Sequence, residues 1–348
     1  MDSSSIKNYF FFFATSIIII AGVKVASEIV IILFLSIFIA SIFSTLLSFL
    51  KRKGIPKLLS YFFVISIFVI FTLLIAYIIN ISLKDFASNL PSYEQKLQSL
   101  IVSSISFVEQ YGYTIDKTTI LDALNLNSFF GFTTNIIGSI GTFLSKFLLL
   151  IIGVAFILAE SKSFETKLKV IFKYNAKKLE HFNLFSHNIQ KYFLVKSTTS
   201  FLTGLIITIG LMFFNVDYPI LWGVIAMLFN FIPVVGSIIA AIPAVLLSLL
   251  NVDMNTTLVL ILFYVIINIS ISNIIEPKLM GKELGLSPLV IFFSLIFWGW
   301  ILGIVGMFLA VPITMTLKIA FNSNSETTWI AILMSNLSGK EKKRQKKD

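Results

Sequence analysis

Cysteine is absent from the 348-residue chain, which excludes disulfides, thiolate metal ligands and a cysteine nucleophile. Histidine is scarce: His181 and His187 sit in a lysine-rich stretch without H-E-x-x-H, so no metal site is expected. Neither G-x-S-x-G nor G-x-x-x-x-G-K-[ST] occurs, which removes a serine-hydrolase elbow and ATP hydrolysis by this chain. No enzymatic activity and no cofactor are expected. Charge is thin as well, at 13% of residues against 57% hydrophobic and a mean hydropathy of +0.95. That balance describes an all-α polytopic membrane protein with about eight membrane segments, not a soluble one. Residues 8 to 50 form too long an apolar run for a signal peptide and lack an A-x-A-like site. The net charge of +10 sits in loops and tail, as orientation signals do, so no nucleic-acid partner is expected.

What the chain does have is a pair of long apolar segments, 219–250 and 288–320, each broken in its middle. Both open on a proline, Pro219 and Pro288, and both carry a second one 24 positions later, Pro243 and Pro312. V-G-x-x-x-A precedes the second proline in each, from Val235-Gly236 to Ala240 and from Val305-Gly306 to Ala310. Asn230, Pro233 and Gly236 interrupt the first; Gly299, Gly303 and Gly306 interrupt the second. As single helices they would be about 48 Å long, well over a hydrocarbon core of about 30 Å. Re-entrant hairpins of an inverted repeat fit both length and breaks. Kinked full-length spans are the other reading.

The rest divides by composition. Residues 1–81 hold three spans, about 9–23, 27–50 and 58–81, with the basic turn Lys51-Arg52-Lys53-Gly54 after the second. Residues 82–140 carry five acids against three lysines and begin as an amphipathic helix, a small extracytoplasmic domain. A fourth span covers 141–160. Residues 161–198 hold eight lysines and two glutamates along a basic cytoplasmic amphipathic helix. Residues 199–320 form the transport core: a span at 199–216, the first broken segment, a span at 257–276, and the second broken segment. A basic cytoplasmic tail, 321–348, closes the chain. The excess of lysine and arginine at 51–57, 161–198 and 340–348 places both termini in the cytoplasm.

Polar side chains inside spans are the functional candidates. Asn268, Ser272 and Glu276 recur at four-residue spacing on one helical face, with Asn273 beside them. Thr199, Ser200, Thr203, Gly204 and Thr208 form a second stripe, which interhelical hydrogen bonding alone explains well. Asn230, one turn before Pro233, is the best single candidate for a side chain that meets substrate. Gly236, Gly303 and Gly306 complete the two tips.

The stretch 273–312 resembles the C-terminal signature of the autoinducer-2 exporter family. It reads E-P-x-x-x-G-x-x-L-G-L-x-P at Glu276, Pro277, Gly281, Leu284, Gly285, Leu286 and Pro288, then a glycine-rich run to Leu309, Ala310 and Pro312. Residues 230–243 and the turn 51–60 are similar to the family's other signatures; the proline that relatives often carry before that turn is missing from 36–50. The resemblance implies a multi-span bacterial inner-membrane permease that works as a homo-oligomer in the lipid bilayer. Some members are linked to export of the quorum-sensing signal autoinducer-2, and others resemble sodium/proton antiporters. The substrate expected here is a small molecule or an ion. Few carboxylates suit an antiporter (Glu160, Asp217, Glu276), which favours solute export. A non-transporting scaffold or sensor, built on 82–140 and 161–198, is the third reading.

Overall fold

A computed structural model describes residues 3–111, 126–171, 176–280, 285–322 and 326–336, and among these no strand forms beyond a lone bridge between Leu286 and Ser335. The chain runs α1 (Ser3–Val25), α2 (Ser27–Arg52), α3 (Lys57–Glu109), α4 (Leu126–Ile171), α5 (Ala176–Phe213), α6 (Pro219–Phe229), α7 (Val235–Asn251) and α8 (Met254–Ile269). A π-helical stretch, Ser270–Ile275, leads into the short α9 (Glu276–Met280), followed by α10 (Pro288–Asn322) and α11 (Thr328–Leu333). Six described helices are long and apolar enough to cross a membrane. The chain is an all-α polytopic membrane protein.

Boundaries differ from the composition blocks in an instructive way. The third span and the amphipathic segment are one helix of 53 residues, about 80 Å long, with Pro91 inside it. Pro91, which has no N–H to give the helix, sits at an exposed position. Likewise the basic segment and the fifth span are joined in α5. Helical continuity is a backbone property, and a change of side-chain polarity does not end a helix unless a cap or breaker comes with it. The basic turn does contain one: Ile55 N–H reaches Leu50 O at 3.3 Å, Gly54 N–H reaches Lys51 O at 3.1 Å, and Gly54 has φ +84°. That is a Schellman ending with glycine in the left-handed position.

The fold comprises two compact units. The first combines residues 1–64, 149–195 and 277–348. Inside it Phe38 meets Phe193 and Phe308 edge-on, at centroid distances of 4.4 and 5.1 Å. The Tyr61 hydroxyl donates to Leu158 O at 3.1 Å, and α10 starts on a Ser287 cap whose Oγ accepts from Val290 N–H. Gly285, at φ +58°, turns the chain just before; its carbonyl accepts from Lys318 Nζ at 2.6 Å and Asn336 N–H at 3.0 Å. Gly281, Leu284 and the tail 340–348 lie outside the described residues, as does the side chain of His181.

The second unit combines residues 65–148 and 196–276. Its core joins Leu83, Phe86 and Tyr93 of α3 to Ile207 and Leu211 of α5, Leu221 and Trp222 of α6, Ala244 and Leu247 of α7, and Leu260 of α8. Large apolar side chains are exposed on both units, Phe62 and Phe156 on the first and Ile70, Phe201 and Leu262 on the second.

Each unit contains one of the broken segments, and each segment folds back on itself. In the second unit, Asp217 before α6 and Asn251 at the end of α7 are hydrogen-bonded, although a straight helix would separate them by about 51 Å. In the first unit, Trp298 Nε1 donates to Thr314 Oγ1 at 3.1 Å across a sequence gap worth about 24 Å of straight helix. Both segments are therefore helical hairpins, and the kinked-span reading is excluded by these contacts.

Candidate functional site

The two tips are built on the same glycine contact. A Cβ on Gly236 would fall 1.9 Å from Phe229 O, and one on Gly306 would fall 1.9 Å from Trp298 O. In both cases the side chain four residues earlier, Ile232 or Leu302, packs against the same spot. Only glycine lets the returning helix sit this close to the carbonyl. The chain reversal itself differs. Gly303 makes it in the second segment, at φ +65° and ψ −151°, a region that is essentially glycine's alone. In the first segment Val234 makes it, at φ +63° and ψ −59°, with Val235 N–H donating to Pro233 O at 2.7 Å. That is the rare, strained γ-turn, adopted here by a β-branched residue.

Around the first tip the polar residues converge on α5. Asn230 is buried, ends α6, and donates from Nδ2 to Ser200 Oγ at 3.0 Å. One turn earlier, Lys196 Nζ donates to Glu276 Oε1 at 2.6 Å, and Thr199 Oγ1 donates to the same carboxylate oxygen at 3.0 Å. The Lys196 side chain is 5% exposed and that of Glu276 13%, so this is a buried ion pair with a hydroxyl on it. Each charge offsets the cost of burying the other, because taking either out of water costs several kcal/mol. The hairpin tip, the start of the α5 stripe and the first residue of α9 thus meet on two adjacent turns of α5.

The other candidates fall in four groups. Ser272 donates to Asn268 Oδ1 at 3.3 Å, as four-residue spacing requires. The expected continuous face then breaks: the π-helical turn widens the helix, leaving Asn273 exposed while Glu276 reaches α5. Asn268 instead lines a cavity of about 250 Å³ between α7 and α8, with Ser237, Ile242 and Tyr264. Thr203 and Thr208 bond back to Thr199 O and Gly204 O at 2.8 Å, and a Cβ on Gly223 of α6 would strike Thr208 Oγ1 at 1.8 Å. That part of the stripe is close helix packing with its hydroxyls satisfied locally. Pro243 and Pro312 lie within α7 and α10, and Pro277 sits exposed in α9. Glu160 pairs with Lys167 at 2.5 Å on an exposed surface, away from buried chemistry.

Lys196 is the residue that sequence reasoning missed. It was absorbed into a basic stretch of eight lysines. A signal did exist: Lys196 stands one turn before the Ser/Thr stripe, and Glu276 ends the Asn/Ser stripe, so opposite charges terminate the two polar faces.

Helical crossings, paired hairpins with interrupted tips and a buried ion pair inside the spans together define a membrane transport protein. Comparison with known proteins makes this specific. The AI-2E family transporter profile matches residues 13–325, and the chain belongs to that family. A Haemophilus influenzae protein named only for transport is 34% identical over 330 residues, covering 92% of this chain and 94% of its own. The AI-2 transport protein TqsA of Escherichia coli K12 is 30% identical over 321 residues, 92% of this chain and 93% of TqsA. A Borreliella burgdorferi protein, likewise named only for transport, is 30% identical over 340 residues, 97% of this chain and 92% of its own.

Proposed function

We propose that this family transporter is a bacterial inner-membrane permease that moves a small polar solute without hydrolysing ATP, autoinducer-2 being the first candidate. Both termini are cytoplasmic, and the polar end of α3 faces outward. The observation that carries the reading is the meeting of Asn230 and Glu276 on adjacent turns of α5, beside the buried Lys196. A hairpin tip held by one amide-to-hydroxyl bond can be released at modest cost, since such a bond contributes only about 1 kcal/mol net. A neutral polar solute offers the donors and acceptors to replace Ser200 on Asn230. The similarity to TqsA adds autoinducer-2 as the solute to try first.

A sodium/proton antiporter is the second reading, and one observation favours it. Glu276 is a largely buried carboxylate ion-paired with Lys196, so a proton or Na⁺ on Glu276 would break the pair. Reconstituted vesicles with imposed Na⁺ and proton gradients separate the two. Solute flux that is lost in Asn230→Ala, with no Na⁺-driven proton movement, supports the permease. Proton movement driven by Na⁺, without solute flux and abolished in Glu276→Gln, overturns it.

A further inference from the structure

At the far end of α5 from Lys196, about 26 Å of helix away, the second unit holds another polar constellation. A cavity of about 480 Å³ is lined by Asn89, Ser92, Tyr93 and Lys96 of α3, Asp217 and Tyr218 before α6, and Asn251 of α7. All seven side chains are polar, unlike the apolar cavity between α7 and α8. Their bonds have a specific pattern. Asn251 Nδ2 and the Tyr93 hydroxyl both donate to Asp217 Oδ2, which leaves Oδ1 to the cavity. Asn251 Oδ1 accepts from Lys96 Nζ at 2.7 Å, which leaves two ammonium protons. One carboxamide therefore stands between an anion and a cation and keeps them from pairing directly.

Such an arrangement is costly to leave unused. Lys96 is a flexible, exposed side chain that could close on Asp217 itself, yet the amide holds the two charges about 7 Å apart at most. Tyr218 adds a second departure from relaxed geometry. It sits at φ +58° immediately before Pro219, where a bulky residue is disfavoured, and its hydroxyl accepts from Asn89 Nδ2 at 2.9 Å. Phe86 meets Tyr218, Tyr93 and Trp222, fixing the aromatic wall from behind. Strain of this kind is retained where surrounding structure imposes it, and it gathers at ligand sites.

We infer that this cavity binds a compact zwitterion, its ammonium on Asp217 Oδ1 and its oxyanion on Lys96 Nζ, with Asn251 as the spacer. An α-amino acid and the headgroup of phosphatidylethanolamine share this chemistry. The net charge of the lining is zero, so neither a simple anion nor a simple cation is favoured over a molecule that carries both signs. The site is independent of the transport reading, because it uses none of Lys196, Thr199, Ser200, Asn230 or Glu276.

The test is calorimetry on purified full-length protein in a nonionic detergent, with L-alanine and O-phosphoethanolamine as soluble probes. Thermal stability in nanodiscs of phosphatidylethanolamine against phosphatidylglycerol forms the second arm. Lys96→Gln, on an exposed helix face, and the isosteric Asp217→Asn remove one charge each; Glu160→Gln, which removes a charge from an exposed surface, is the control. Binding that weakens at least about tenfold in both site variants and survives in Glu160→Gln is expected. Soluble probes that bind in detergent identify a free solute. Stabilisation confined to the phosphatidylethanolamine nanodiscs, and lost in Lys96→Gln, identifies the headgroup. Absence of any response in both arms, or a response unchanged in both site variants, overturns the proposal.

Discussion

The two hairpins share a plan and differ in what they carry. A Cβ on Gly236 or on Gly306 would fall 1.9 Å from a carbonyl oxygen of the descending helix, and each hairpin has a proline in its returning helix. The α10 hairpin is held by apolar packing and one Trp298–Thr314 bond, and glycine makes its reversal. The α6–α7 hairpin is tied at its base by Asp217–Asn251, tied at its tip by Asn230–Ser200, and reversed through a strained valine. Its unit also holds the buried Lys196–Glu276 pair. One architecture thus serves twice, and the polar chemistry is concentrated in one of the two copies. Segments that look equivalent by punctuation need not be equivalent in function.

The largest expected effect should ignore this difference. Gly236→Val and Gly306→Val both drive a side chain into a backbone carbonyl, and each should cost roughly 3 kcal/mol or more. Yield of monodisperse protein and midpoint of thermal unfolding check this. If either variant behaves as wild type, the shared tip geometry is wrong.

Next comes the pair that sets the two units apart. Lys196→Met or Glu276→Leu alone strands a buried charge and should destabilise by about 3–5 kcal/mol, while the double substitution should recover most of that loss. A double-variant cycle in thermal unfolding reads the coupling. Transport should stay abolished in the double variant even though stability returns.

Tip anchoring gives a smaller contrast. Asn230→Ala leaves Ser200 Oγ buried without its donor and should cost about 1–2 kcal/mol, with flux changed. Trp298→Phe removes the equivalent tie in the other hairpin, should cost a similar amount, and should leave flux near wild type once protein amounts are matched.

The smallest effect is a pH dependence in the loop that follows α7. Asp253 caps α8, with Oδ1 accepting from Thr256 N–H at 2.9 Å and Oδ2 from its hydroxyl at 2.6 Å. Those bonds, the side-chain one first, hold its carboxyl below the ordinary value of about 3.9. The cap is therefore fully present above pH 4 and is lost as pH falls through the depressed value. Asp253→Asn should flatten the low-pH end of a stability–pH curve and leave the neutral region nearly unchanged.

Much of this organisation was legible in the residues. Proline and glycine punctuation located both hairpins to within a residue or two, because chain reversal needs special backbone and few residue types supply it. Parity alone left hairpins and kinked spans open, and tertiary contacts such as Asp217–Asn251 decided it. The continuity of α3 was hidden because polarity changes at residue 82 with no breaker beside it. Lys196 was hidden for a different reason: its partner is 80 residues away, and pairing across that distance is written in packing. The π-helical turn at Ser270–Ile275, which delivers Glu276 to α5, has no residue signature of its own.

The absence of cysteine makes the central claim directly testable, since any introduced thiol is the sole one. Ser88→Cys, Met254→Cys and Lys278→Cys, all at exposed positions, would be labelled in sealed right-side-out vesicles with a membrane-impermeant maleimide. A hairpin at 219–251 predicts that Ser88→Cys and Met254→Cys react from the outer face and Lys278→Cys only after the membrane is opened. Labelling of Lys278→Cys from outside, with Met254→Cys protected until opening, would mean that the segment crosses the membrane once, and the account of the site would fall with it.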